Sequence, residues 1–69
     1  MIKEDFEQKA DAIRAEYKRL INAADAAKDI QKRHNLKVAA KAQVYRMKLL
    51  LSANDIKVTN EELFNEYLK

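Results

Sequence analysis

The sequence predicts an all-α protein, and three observations carry that prediction. The 69 residues include neither Gly nor Pro. Hairpin turns, phosphate-cradling loops and nucleophile elbows lean on Gly for positive φ or for close backbone approach, so none of them is expected in its usual form. Ala, Lys, Glu, Leu and Arg dominate the composition, and all are strong helix formers. Apolar residues recur at alternating spacings of three and four along much of the chain, the period of one helix face.

Residues 3–34 read as one long amphipathic helix. Phe6, Ala10, Ile13, Tyr17, Leu20, Ala24 and Ala27 form its apolar stripe. The acids Glu4, Asp5 and Glu7 fall in the first turn and Lys32 and Arg33 in the last, as the helix dipole favours. Asp5/Lys9 and Asp29/Arg33 are placed as i, i+4 ion pairs with the acid leading. The stripe is rich in Ala toward its end, which suits close approach of a partner helix.

The stripe then fails across the polar run Gln31–Asn35 and resumes in a different phase as Leu36, Ala40, Val44, Met47 and Leu51. A break near His34–Asn35 accounts for the change of phase, with Asn35 as a left-handed cap in place of Gly. A second helix over 37–53 then folds back on the first as an αα-hairpin. The alternative is one continuous helix of about 50 residues, a coiled-coil rod roughly 75 Å long. Helices of that length are uncommon outside coiled coils, which favours the hairpin.

The C-terminal end carries the sharpest local signal. Asn54 is placed to cap the second helix, and the alternating stretch Asp55–Val58 reads as extended. Thr59 and Glu62 form a capping box, with Val58 and Leu63 as a hydrophobic staple. A short helix over 60–68 follows and offers Leu63, Phe64, Tyr67 and Leu68 to a core. An extended linker lets that helix cover the N-terminal half of the first one.

These elements make a single domain, 1–69, with a small core that leans on disulfides, metal or self-association for stability. There is no Cys and one His, His34. Disulfides, metal sites and other cofactors are therefore not expected, and a reducing, cytoplasmic setting is. Self-association remains, and a homodimer is the expected form. Tyr17, Leu20, Ala24 and Ala27 on the first helix and Val38, Tyr45, Leu49 and Leu51 on the second are the candidate self-association residues. No run of about 18 apolar residues is present, so no membrane span is expected. Contact with an anionic membrane surface is not expected either, because no Trp and few bulky residues border the basic charges. The start of the chain lacks the apolar core of a secretory signal.

Charge is concentrated in the middle of the chain. Residues 28–48 hold seven Lys/Arg and one acid, a local balance of +6 within an overall +3. On a helix, Arg33, Lys37, Lys41 and Lys48 fall within roughly an 80° arc, a candidate polyanion-binding face able to track a phosphate backbone. The plainer reading is a solvated face, with Arg46 and Lys48 placed by the helix dipole. Tyr45 beside Arg46 and Lys48 offers only weak stacking chemistry.

With one His and Ser52 as the one Ser, a nucleophile–base pair has to join His34 to Ser52 or Thr59, and nothing in the spacing arranges it. Acid pairs such as Glu61/Glu62 sit at helix starts, where the dipole explains them. No enzyme and no small-molecule substrate are expected. The expectation is a small helical interaction protein that self-associates and binds a macromolecular partner, such as an accessory regulator or inhibitor. A nucleic-acid-binding protein is the alternative, and a structural spacer a further one.

Overall fold

A computed structural model describes residues 3–69. Met1 and Ile2, part of the start read above as lacking the apolar core of a secretory signal, lie outside the described residues, and so do the side chains of Lys3 and Glu4. Helix α1 spans Lys3–Ala26 and helix α2 spans Ile30–Ala53. A single α-helical turn, α3 (Asn60–Glu62), passes directly into a π-helical turn over Leu63–Tyr67. Helices α1 and α2 pack together as a hairpin. The longest dimension is 42 Å, too short for a rod of about 75 Å, so the continuous-helix alternative does not hold.

The break falls earlier than the polar run suggested. Helix α1 ends at Ala26, not near residue 34, and only Ala27, Lys28 and Asp29 connect it to α2. Asp29 decides the position. Its carboxylate accepts from the Gln31 N–H at 3.1 Å, making it the N-cap of α2, and its carbonyl accepts from the Arg33 N–H at 2.9 Å. N-capping by Asp satisfies a donor that is otherwise left without a partner, and it displaces the Asp29/Arg33 ion pair that a continuous helix would have made. The Arg33 guanidinium instead donates to the Ala27 carbonyl at 2.9 Å, closing the turn at the negative end of α1. Asn35 is no cap: its side chain accepts from Gln31 Nε2 at 3.1 Å, one turn apart on the surface of α2.

The two apolar stripes form the interior. Ala10, Leu20 and Ala24 of α1 and Ala40, Met47 and Leu51 of α2 are buried. Phe6, Ile13, Tyr17, Ala27, Leu36 and Val44 are half-buried beside them. Met47 is fully enclosed. Three of the buried positions are Ala, and this is what lets the two backbones approach closely.

The end of α2 is a helix-stop motif built without Gly. Asn54 caps it, and Asp55 takes the left-handed conformation at φ 57°. The Asp55 N–H donates to the Ser52 carbonyl at 3.1 Å and the Ile56 N–H to the Leu51 carbonyl at 2.9 Å, the two bonds of a Schellman cap. Ile56 packs against the core that includes Leu51, the apolar contact that commonly accompanies this cap. Asp55 is thus not extended as the sequence suggested, although the alternation beyond it holds: Ile56 and Val58 turn inward and Lys57 outward. A Cβ in this conformation is strained, by about 1 kcal/mol for an Asp. Asp55→Gly is therefore expected to raise the thermal midpoint by roughly 4–8 °C, read by circular dichroism; an unchanged or lower midpoint would show that the strain is absorbed elsewhere.

The capping box forms on both sides: Thr59 Oγ1 accepts from the Glu62 N–H and Glu62 Oε1 from the Thr59 N–H, each at 3.1 Å. In the π-helical turn that follows, the Leu68 N–H donates to the Leu63 carbonyl at 3.0 Å. A bond across five residues brings Leu68 back above Leu63, and both are buried. They close the open end of the hairpin against Ala10, Met47 and Leu51, so the C-terminal segment does cover the N-terminal half of α1. Phe64 does not enter the core as expected. It stays 44% exposed and rests its ring on Tyr17, with centroids 6.4 Å apart.

Candidate interaction face on the second helix

Helix α2 carries two apolar stripes, and the hairpin uses one. Leu36, Ala40, Val44, Met47 and Leu51 face α1 and the C-terminal turn. Val38, Tyr45 and Leu49 face outward, at 53%, 63% and 52% exposure, with Ala42 exposed among them. On a helix these four lie within about a 60° arc, at successive spacings of four, three and four.

The candidate self-association residues therefore divide. Val38, Tyr45 and Leu49 are open to contact. Leu20, Ala24 and Leu51 are buried inside the hairpin, and Tyr17 and Ala27 are half-buried in it, so these five are taken by packing within one chain. The Ala-rich end of α1 has its close partner in α2 of the same chain and needs no second copy.

The basic candidates divide in a different way. Arg33 is engaged at the turn with the Ala27 carbonyl. Lys37, Lys41 and Lys48 are exposed along one border of the outward stripe. Arg46 stands at the other border, about 40° from the stripe's edge. Lys37 and Lys41 also rim a shallow groove of about 260 Å³ whose apolar floor includes Tyr17, Val44 and Phe64. A second hollow of about 310 Å³ lies between the end of α2 and the linker, beside Lys48 and Lys57.

The two helices differ sharply in charge. Helix α1 has five bases and six acids, and its ion pairs are local: Arg14 to Asp11 at 2.5 Å and Arg19 to Glu16. The hydrogen bond and charge of Glu16 hold the exposed Arg19 guanidinium above its ordinary pKa. Helix α2 has six bases and no acid, and among the described residues none of the six is in an ion pair.

No family model matches this chain, and no curated protein or solved structure gives a match. The reading of the site therefore rests on its own geometry.

His34 and Ser52 lie on the same helix, about 27 Å apart along its axis, so they cannot act on one atom. Among the described residues no helix is long and apolar enough to cross a membrane. One contact had no signature in the sequence. Arg14 Nε donates to the Tyr67 carbonyl at 2.7 Å, tying α1 to the negative end of the C-terminal helix across 53 residues. The exposure of Val38, Tyr45 and Leu49, in contrast, follows from the two-striped pattern of α2 once one stripe has been used.

Proposed function

We propose that this chain is a small, non-enzymatic helical-hairpin module that binds another protein through the outward face of α2. The observation that carries the reading is the row Val38, Tyr45 and Leu49, more than half exposed on a helix whose other stripe is packed. A chain of 69 residues has little apolar surface to spare, and leaving this much in water is costly unless something covers it.

Photo-crosslinking in the cells that make the protein tests the reading. Benzoylphenylalanine at position 45 is expected to give a discrete protein adduct, and the same group at Ala15, exposed on α1, to give none. Leu49→Glu is expected to remove the adduct. No adduct at position 45, or equal adducts at both positions, would defeat the proposal.

A second reading draws support from Lys37, Lys41 and Lys48, exposed along one border of α2 and in no ion pair among the described residues, with Tyr17 and Phe64 in the adjoining groove. These groups suit a nucleic-acid backbone. Three phosphate contacts give a salt slope of about 3 in log–log form, measured by anisotropy with duplex DNA and single-stranded RNA. Lys37→Glu with Lys41→Glu is expected to abolish that binding with helicity intact. Binding that survives this charge reversal would remove the reading.

A further inference from the structure

The outward stripe of α2 has the spacing that one helix presents to another. Taking Val38 and Tyr45 as d positions and Ala42 and Leu49 as a positions gives a two-heptad seam. The flanking g positions are then Lys41 and Lys48, and the flanking e positions are Ala39 and Arg46. In helix pairs the e and g residues choose the partner by charge. Every charged flanking residue here is basic, α2 has no acid anywhere, and none of these bases is neutralised within the chain among the described residues.

From this charge pattern we infer that the occupant of the face is an acidic amphipathic helix of a different protein, and not a second copy of this chain. The inference rests on the protein-binding reading given above. A symmetric α2–α2 contact brings the basic borders of two copies together, and like charges placed opposite each other at an interface weigh against pairing. An occupant with apolar residues at a and d and Glu or Asp at e and g fills the seam and neutralises Lys41, Arg46 and Lys48 together. The Tyr45 hydroxyl, at the rim of the seam, stays within reach of water. The small Ala42 at its centre leaves room for a large side chain from the partner.

Two synthetic three-heptad peptides test this against the full chain. Both carry Leu at a and d; one has Glu at e and g and the other has Lys. By fluorescence anisotropy at low and physiological salt, the Glu peptide is expected to bind at least about tenfold more tightly than the Lys peptide. Lys41→Glu combined with Arg46→Glu and Lys48→Glu is expected to reverse the order. Leu49→Ser, a milder change at an exposed position, is expected to weaken the Glu peptide while circular dichroism stays unchanged. Equal binding of both peptides overturns the inference and leaves the face as a docking surface. So does a dimer in sedimentation that Leu49→Glu dissociates. Glu-peptide binding that ignores Leu49→Ser, with duplex DNA competing for it, overturns the inference in favour of a polyanion site on the lysines. Failure of both peptides together with no adduct at position 45 removes the protein-binding reading itself.

Discussion

Leu51→Glu is expected to unfold this protein, and Leu49→Glu, two residues away on the same helix, to leave its helicity and stability unchanged. Leu51 is 1% exposed and lies in the core with Ala10, Met47, Leu63 and Leu68. Replacing it forfeits about 2–3 kcal/mol of apolar burial. It also brings a carboxylate into an apolar core cluster, and burying a charge there costs several kcal/mol more. A domain of this size has a total stability of roughly 3–10 kcal/mol, so the change consumes most or all of it. Leu49 is 52% exposed, and a substitution there stays within about 0.5 kcal/mol. The carboxylate also joins a helix of six bases and no acid. Urea titrations followed by far-ultraviolet circular dichroism separate the two variants. A folded Leu51→Glu chain would mean that the hairpin does not close on this face. The contrast matters for function because both residues belong to the same apolar run, Leu49–Leu51, and equivalent roles at an interface were expected of them from the sequence. Only the outward one can serve as an interface residue, and only there does loss of binding report on binding alone.

Much of this architecture is legible in the residues, and the failures share a cause. Both core stripes are read directly from the period of the apolar positions, because burial on one side of a helix leaves no other pattern. The Thr59/Glu62 box and the Asn54 cap are equally direct, since each is a contact among neighbours in sequence. The turn at Ala27–Asp29 is different. Asp29 can pair with Arg33 on a continuous helix or cap a new one, and the chemistry of the pair alone does not choose. The choice is made by tertiary packing: two helices of 24 residues each match in length and turn their stripes toward each other along that length, and an early break is needed for that. The same limit hides the Arg14–Tyr67 bond and the π-helical turn, whose partners are far apart in sequence or depend on which residues the core must reach. For the interaction face, the stripe Val38–Leu49 and the basic run are both visible in the sequence. Which stripe is left outside, and that Arg33 is drawn off to the turn, emerges only when the hairpin is formed.

A chain ending at Thr59 is expected to lose cooperative unfolding, although residues 60–69 contribute just two buried side chains. Leu63 and Leu68, at 1% and 3% exposure, are each worth about 1.5–3 kcal/mol of burial, together a large share of a stability of roughly 3–10 kcal/mol. Their loss also opens Met47 and Leu51 to water, and it removes the Tyr67 carbonyl that holds Arg14. What remains is a helical hairpin whose open end is uncovered, and helix pairs without a closed core melt gradually. Phe64→Ala in the full chain supplies the comparison. That ring is 44% exposed and touches Tyr17, so its loss is expected to cost only about 1 kcal/mol and to keep the transition sharp. Calorimetry of the two variants distinguishes a closing element from an appendage: a truncated chain with an unchanged, sharp transition would show that the two long helices are sufficient by themselves. The expected result has a consequence for the outward face of α2. If the C-terminal turn holds Met47 and Leu51 inward, it also fixes which stripe of α2 points outward. The row Val38–Tyr45–Leu49 then owes its orientation to Leu63 and Leu68, which lie outside the row, and a binding defect in the truncated chain follows from lost folding and not from lost contact.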